Sequence, residues 1–273
     1  MSVARILIIA GSDSGGGAGI QADIKAITAL QGFAMTAVTA VTAQNTIGVQ
    51  AVHGLPPAMI EAQMRSVLED IGADCLKTGM LHSPEVIKLV ANVIAELAPD
   101  VPLVVDPVMV AQSGDRLVPE EAMQALCQYL IPKATLITPN IPEAEVLLGR
   151  EIKTTDAMPD AANALLKLGC DAVLLKGGHL PGETVIDVLV SASEQIQWKH
   201  ARVQTTSDHG TGCTLASAIA EGIGRGLPLH HAIARAQAYL QKALREAIPL
   251  GHGHGPVNHL HTITPYKTGI IEK

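Results

Sequence analysis

Short apolar segments alternate along the chain with segments whose apolar residues recur at helical spacing. The apolar segments predict strands at 4–10, 33–44, 75–80, 102–110, 134–140 and 172–178, and a hairpin over 185–203. Helices are predicted near 18–31, 57–71, 84–98, 119–130, 142–148 and 156–168, with two long helices in the C-terminal part. Apolar strands joined by helical crossovers are typical of an α/β fold, with a mostly parallel sheet and helices on both faces. No long linker, repeat or composition shift interrupts the alternation, so we expect one domain over residues 1–273.

The composition narrows the classes of partner. The chain is 48% hydrophobic but only 2% aromatic, and its formal net charge is −7. With few rings to stack on bases and no basic cluster, we expect neither nucleic acid nor a membrane surface as a partner. The first residues lack a signal-peptide profile and no apolar segment reaches membrane-spanning length, so we expect a cytoplasmic protein. The four cysteines form no C-x-x-C pair and indicate neither a zinc site nor a disulfide framework.

A glycine-rich segment, GSDSGGGAGIQAD at 11–23, follows the first predicted strand. Its glycine spacing invites comparison with the dinucleotide-binding fingerprint, but that fingerprint needs an acidic residue about 20 positions later, where this chain has none. A Walker A loop is excluded as well, because the chain contains no Gly-Lys-Ser/Thr. If the protein uses a nucleotide, it belongs to neither of these classes.

A second glycine motif, Gly210-Thr211-Gly212-Cys213, stands directly before an alanine-rich helical segment. Backbone N–H groups in such a turn, together with the positive end of the helix dipole, suit a phosphoryl group. Cys213 would point into that site, and a helix N-terminus can lower a thiol pKa towards neutrality, so Cys213 could act as a thiolate. The alternative is a glycine-punctuated helix start that carries a buried cysteine.

Taken together, eight segments in order along the chain resemble the hydroxymethylpyrimidine/phosphomethylpyrimidine kinases, the thiamine-biosynthesis branch of the ribokinase-like kinases. The resemblance implies a ribokinase-like three-layer sandwich and an ATP-dependent, Mg²⁺-using enzyme. Such an enzyme would phosphorylate the hydroxymethyl group of a small pyrimidine and then the resulting monophosphate. The resemblance also suggests a homodimer. The segments are 11–25, 39–46, 77–80, 106–115, 138–145, 174–179, 208–220 and 253–259.

The resemblance also implies roles for individual residues. Cys213 takes the place of the aspartate base that most relatives in the wider superfamily carry, with Gly210, Thr211 and Gly212 as the anion hole. A side-chain amide offers the donor and the acceptor that a pyrimidine needs, which fits Gln44. The remaining expected roles are Met80, Asp23, Gly11 and Val108 for substrate, Lys176 and Asn140 for the ATP phosphates, and Asp106 and Glu143 for Mg²⁺, partly through water.

Two other functions stay open at this point. A pyridoxal kinase of the cysteine-containing type shares the GTGC loop, and a non-catalytic pyrimidine sensor would need only the binding residues. The histidines at 252, 254, 259 and 261 are interpreted as a structural C-terminal segment rather than a metal site, whereas His209 could contact nucleotide or shape the turn. The small-residue loop at 108–116 is a hypothetical lid over the site.

Overall fold

The computed structural model describes residues 3–109 and 119–264, so the hypothetical lid at 108–116 lies largely outside the described residues. Those residues form a nine-stranded sheet in the order β3-β2-β1-β4-β5-β6-β7-β8-β9. The strands are β1 (Arg5–Ser12), β2 (Phe33–Gln44), β3 (Val49–Gly54), β4 (Cys75–Thr78), β5 (Leu103–Val105), β6 (Leu136–Ile137), β7 (Ala172–Lys176), β8 (Thr184–Ser191) and β9 (Gln195–Ala201). Neighbours from β2 to β7 pair in parallel, whereas β3, β8 and β9 pair antiparallel.

Helices cover both faces of this sheet, which confirms the predicted α/β fold class. They are α1 (Gly19–Ala29), α2 (Pro57–Asp70), α3 (Pro84–Leu97), α4 (Glu120–Ala125), α5 (Ile141–Leu148), α6 (Met158–Leu166), α7 (Thr211–Gly224) and α8 (Leu229–Arg245). None of the described helices combines the length and the apolar character needed to cross a bilayer. The prediction of one domain over the whole chain stays a prediction.

The core explains why the strands are apolar without interruption. Leu7 and Ile9 of β1 pack into an apolar cluster with helices α2 to α6, and Ile6 and Ile8 pack into a second cluster with α1, α7 and α8. Because a strand turns successive side chains to opposite faces, the residues of β1 from Ile6 to Ala10 enter the two clusters in turn. Helices on both faces therefore bury the middle of this strand completely, which explains its unbroken apolar sequence.

Several predicted elements differ in detail from the structure. The strand predicted at 102–110 is only Leu103–Val105, and the helix predicted at 119–130 continues from α4 into a π-helical turn at Leu126–Leu130. The edge strand β3 was not predicted, and most of its residues are exposed. An edge strand without a buried face lacks the alternation on which strand prediction depends.

Parallel pairing brings the ends of the strands together and so positions the site. The carboxyl ends of β1, β2, β4, β5, β6 and β7 meet at the same edge of the sheet, which is where ligands bind in open α/β folds. Most of the motifs found in the sequence follow these ends. They are therefore neighbours in space, although they are spread over two hundred residues of the chain.

Candidate active site

A cavity of about 520 Å³ lies at the carboxyl edge of the sheet, within the usual size of a small-molecule pocket. It brings together residues from the glycine-rich segment, the ends of the parallel strands and the start of α7. All but one of the residues expected from the sequence line it: Gly11, Gln44, Met80, Asp106, Val108, Asn140, Glu143, Lys176, Gly210, Thr211, Gly212 and Cys213.

The Gly-Thr-Gly-Cys turn forms the N-terminus of α7. Gly210 has φ 81°, a left-handed conformation that favours glycine, and a Cβ added there would lie 1.8 Å from the carbonyl oxygen of Gly17. The two glycine loops are therefore in backbone contact. Within the described residues, no acceptor lies in hydrogen-bonding range of the N–H groups of Gly212 and Cys213. These amides remain available to an anion in the cavity.

Cys213 is half-buried in the first turn of α7, and the N–H of Gly19 donates to its sulfur. Burial raises the pKa of Cys213 to about 12; Lys77 opposes the rise, and the carboxylates of Asp23 and Asp106 add to it. The direction of this change in pKa is opposite to the lowering that a helix N-terminus by itself can produce. The helix N-terminus is outweighed by desolvation, and Cys213 is a neutral thiol at neutral pH.

Lys176 and Asp106 form a buried ion pair beside the turn. The Nζ of Lys176 lies 3.2 Å from Oδ1 of Asp106, and the hydroxyl of Thr138 donates to the same oxygen at 2.9 Å. A Cβ added to Gly212 would lie 3.4 Å from the Lys176 ammonium and 3.7 Å from Oδ2 of Asp106. The missing side chain at Gly212 thus leaves the ammonium facing the turn, where it can meet a phosphoryl oxygen.

Asn140 and Glu143 form the capping box that starts α5. The side-chain oxygen of Asn140 accepts from the N–H of Glu143 at 2.9 Å, and a carboxylate oxygen of Glu143 accepts from the N–H of Asn140 at 2.8 Å. Burial raises the pKa of Glu143 to about 7; Lys176 opposes the rise and Asp106 adds to it. Two buried carboxyl groups therefore face one ammonium, a donor set that fits a divalent cation with oxygen ligands.

Asp23 does not occupy its expected place. Its carboxylate is fully buried beneath the cavity, where it accepts from the ammonium of Lys77 at 3.0 Å and from the hydroxyl of Ser217 at 2.6 Å. The expectation that Asp23 contacts the substrate is therefore wrong. In the sequence, a carboxylate near a helix start and next to a glycine loop suggests a ligand contact. In the folded chain, Lys77 of β4 and Ser217 of α7 fix the direction of the Asp23 side chain.

Gln44, Met80 and Gly11 gather at one end of the cavity, as expected. A Cβ added to Gly11 would lie 2.6 Å from Cε of Met80, so the Met80 methyl group rests against the Gly11 backbone. The backbone oxygen of Met80 accepts from the hydroxyl of Thr39 at 2.9 Å, which holds this segment in place. Together they form an apolar wall next to an amide, suited to a small polar ring.

Asp13 is a central residue that the sequence interpretation missed. One carboxylate oxygen accepts from the N–H of Gly15 at 2.8 Å, and the other accepts from the N–H groups of Gly17 and Ala18 at 3.0 and 2.8 Å. The ring of His209 lies 3.0 Å from that second oxygen. Burial alone would raise the pKa of Asp13, but these hydrogen bonds hold it below its ordinary value. The aspartate-before-glycine pattern was a readable turn signal.

His209 connects the two glycine loops and also fixes the amide of Gln44. Its Nε2 lies 3.0 Å from Oδ2 of Asp13 and 3.3 Å from Nε2 of Gln44, so with the ionised carboxylate this ring nitrogen is the donor to Asp13. The side-chain oxygen of Gln44 lies 3.2 Å from the hydroxyl of Thr42, which also lies 2.9 Å from the backbone oxygen of Ser12. His209 therefore shapes the substrate end of the cavity.

Comparison with known proteins agrees with this geometry. The family model for phosphomethylpyrimidine kinase matches residues 13–258. The chain belongs to that family. It is 44% identical over 260 residues to the hydroxymethylpyrimidine/phosphomethylpyrimidine kinase of Bacillus subtilis, covering 95% of this chain and 96% of that protein. It is 49% identical over 255 residues to the thiamine biosynthesis bifunctional protein ThiED of Geobacter sulfurreducens, covering 93% of this chain but only 52% of that protein.

Solved structures of kinases have the same fold. A phosphomethylpyrimidine kinase from Clostridium difficile superposes with a TM-score of 0.79 at 42% identity, over 88% of this chain and 99% of that one. An ADP complex of a pyridoxal kinase from Bacillus subtilis superposes with a TM-score of 0.87 at 37% identity, over 95% of this chain and 98% of that one. The resemblance inferred from the eight segments and the predicted ribokinase-like fold are confirmed.

The opposite end of this kinase cavity was not anticipated from the sequence. It is built by β8, β9, α8 and the loop after β9, and its apolar side chains are Val185, Val203, Leu240 and Leu244. Among its polar groups, Asp187 accepts from the N–H of Gly177 at 3.0 Å and from the amide of Gln237 at 2.9 Å. No local motif marks these residues, because they meet only through the antiparallel end of the sheet.

The C-terminal histidine-glycine segment bridges the substrate end and the anion loop. The N–H of His254 donates to the carbonyl of Thr46 at 2.8 Å, and the N–H of Gly255 donates to Thr206 at 2.9 Å. The carbonyl of Gly255 in turn accepts from the N–H of His209 at 3.0 Å. In the described ranges, no three His, Cys, Asp or Glu side chains are grouped to hold a metal ion. The interpretation of the segment as structural stays a prediction.

Proposed function

We propose that this chain transfers phosphoryl groups from ATP to 4-amino-5-hydroxymethyl-2-methylpyrimidine and then to its monophosphate. The observation that carries the proposal is one continuous cavity. The amide and thioether of Gln44 and Met80 lie at one end, the anion loop and Lys176 in the middle, and an apolar compartment at the other end. The family and its pyrimidine-kinase relatives support the substrate class.

In the proposed reaction the hydroxyl oxygen of the pyrimidine attacks the γ-phosphorus of ATP, and the bond from that phosphorus to the β-phosphate oxygen breaks to give ADP. Such transfer depends mainly on positioning and on stabilising charge. The N–H groups of Gly212 and Cys213 and the ammonium of Lys176 converge on the same part of the cavity. These groups would stabilise the negative charge on the three equatorial oxygens of the transferred phosphoryl group.

Cys213 is the proposed acceptor of the hydroxyl proton. As a neutral thiol with a pKa of about 12, it would first lose its own proton to solvent in the cavity, and the thiolate would then take up the hydroxyl proton, which restores the thiol. In a loose transition state the proton leaves late, so this step is expected to contribute about 10²-fold to 10⁴-fold to the rate. Most of the remaining acceleration would come from the anion loop.

Mg²⁺ fits the buried carboxyl groups of Asp106 and Glu143, because two acidic side chains there face one ammonium. When bound, the ion would neutralise phosphate charge during transfer, with part of its shell supplied by water. Asn140 is proposed to position Glu143 through the capping box and to border the phosphates. Val108 and Gly11 are proposed to line the substrate end.

A pyridoxal kinase activity is the second candidate, because a pyridoxal kinase of known structure superposes over 95% of this chain. Purified protein with Mg-ATP and either hydroxymethylpyrimidine or pyridoxal, followed by product mass, separates the two. We expect mono- and diphosphorylated pyrimidine as the main products. Dominant pyridoxal phosphate would favour the second candidate, and binding of pyrimidine without turnover would indicate a sensor.

Gln44→Leu sharpens this test, since leucine keeps the size of the side chain and removes its hydrogen-bonding groups. The KM for pyrimidine should rise about tenfold or more, while the KM for ATP should change little. We also infer a cytoplasmic homodimer from the family resemblance, and light scattering of the purified chain measures its mass. A monomer that is fully active would contradict the dimer without affecting the proposed reaction.

A further inference from the structure

A second charged pair lies below the site and takes no part in the chemistry proposed so far. Lys77 of β4 and Asp23 of α1 have fully buried side chains, and the Lys77 ammonium lies 3.0 Å from both carboxylate oxygens. The hydroxyl of Ser217 donates to the same carboxylate at 2.6 Å. The two residues are 54 positions apart in the chain, and no local motif links them.

The position of Ser217 places this pair under the proposed base. Cys213 and Ser217 are four residues apart on α7, so they lie one above the other on the same face of the helix. Lys77 also borders the cavity, and a Cβ added to Gly79 would lie 3.0 Å from its ammonium. Lys77 therefore lines the same cavity as Cys213, and Asp23 is hydrogen-bonded to the helix that carries the thiol.

Stability alone is a weak reason for such a pair. Replacing a buried ion pair by apolar side chains of similar volume is often neutral or stabilising, whereas removing one partner is strongly destabilising. Neither side chain has exposed surface, and the helices α1 and α7 that carry Asp23 and Ser217 pack into the second apolar cluster. Two opposite charges in this environment act strongly on any titratable group nearby, because the local dielectric constant is low.

We propose that Lys77 is a positioning residue that sets how readily Cys213 releases and accepts a proton, with Asp23 as the opposing charge that limits its effect. The inference rests on the proposed role of Cys213 as base. The ammonium favours the thiolate and the carboxylate favours the thiol. Burial keeps the side chain neutral at rest, and Lys77 provides a positive charge close by when the thiol ionises.

Other charges also face Cys213 and act in known directions. Asp106, after β5, favours the thiol in the same way as Asp23, whereas Lys176, the last residue of β7, favours the thiolate. The N–H of Gly19 at the start of α1 donates to the sulfur. Asp106 and Lys176 belong to the proposed phosphate and metal site, so only the Lys77 pair can be altered without touching it.

The test is the alkylation rate of Cys213 by iodoacetamide at pH 8, measured by peptide mass, with half-exposed Cys127 as the internal reference. At a pH far below the thiol pKa, raising that pKa by one unit slows alkylation about threefold. The thiolate population falls tenfold, but each thiolate is a stronger nucleophile and so partly offsets the loss. We expect Lys77→Met to slow the reaction about threefold or more and Asp23→Asn to accelerate it by a similar factor. A general loss of packing would not change the alkylation rates of these two variants in opposite directions.

Two further variants make the result decisive. Ser217→Ala removes a hydrogen bond to Asp23 but leaves both charges, and its rate should stay within about twofold of the native rate. The double variant Lys77→Met/Asp23→Asn removes both charges and avoids an unpaired buried ion, so it should fold even where a single variant does not. The alkylation rate of the double variant should lie near the native value. Comparison with either single variant that folds then gives the effect of one charge alone.

An unchanged or faster rate in Lys77→Met, or slowing in both single variants, would overturn the proposal. Alkylation requires neither ATP nor pyrimidine, so the failure of this inference is distinguishable from that of the proposed function. If Lys77→Met is alkylated more slowly and Asp23→Asn faster, but the native protein has no kinase activity, only the proposed function is contradicted. In an active enzyme, Lys77→Met should also lower kcat/KM at every accessible pH, because less of the thiolate is present.

Discussion

The contact between the two glycine loops can be tested by Gly210→Ala. At φ 81° an alanine is strained by about 1 kcal/mol or more, because its Cβ approaches the following carbonyl. The larger effect is steric. The new Cβ would lie 1.8 Å from the Gly17 oxygen, and since carbon–oxygen contacts are rarely below about 3.3 Å, the loops would have to separate by roughly 1.5 Å.

Such a separation would displace the N–H groups at the start of α7 from the cavity. A misplacement of about 1 Å in a positioned site can lower the rate about a hundredfold, so kcat/KM of Gly210→Ala should fall by at least that factor. The matched control is Gly226→Ala. Gly226 has a similar φ of 84°, but no described heavy atom lies within 4 Å of its added Cβ.

Steady-state kinetics and thermal unfolding of both variants provide the comparison. Gly226→Ala should lose about 1 kcal/mol of unfolding free energy and keep its activity, whereas Gly210→Ala should lose activity beyond what its stability explains. Similar small losses of stability in both variants, with full turnover in each, would refute the argument that the loop contact organises the site.

Three further predictions concern the base, the C-terminal segment and pH. Cys213→Ala should remain folded and lose about 10²-fold to 10⁴-fold in kcat, and unchanged product formation by mass would contradict its role as base. A Cβ at Gly253 would lie 2.1 Å from the carbonyl oxygen of Thr46, so Gly253→Ala should lose about 2 kcal/mol in urea unfolding; an unchanged midpoint would argue against this contact. Burial lowers the pKa of His259 to about 4, so the unfolded chain binds more protons below about pH 6.5, and stability should decline as pH falls from there towards 4. His259→Gln should flatten that decline in unfolding curves between pH 7 and 4.5, and an equally steep decline would assign it to other groups.

The order of strands and helices was accessible from the sequence because two buried faces leave apolar segments unbroken. The exposed edge strand β3 escaped prediction because no buried face imposes alternation on it. The short strand β5 was predicted too long, since Val108 lines the cavity and Met109 packs into the core instead of pairing in the sheet. A hydrophobic pattern reports burial, and it cannot separate burial in a sheet from burial beside a ligand site.

Local chemistry was readable wherever one segment makes its own site. The turn before α7 and the capping box of α5 depend on residues within four positions of one another, so their spacing alone indicates what they form. The thiol pKa of Cys213 and the orientation of Asp23 were not readable in this way, because each depends on charges from distant segments. Burial reverses the expected thiol shift, and Lys77 draws Asp23 away from the cavity. The helix start is a property of neighbouring residues, whereas desolvation and pairing across 54 positions arise only when β4, α1 and α7 pack together.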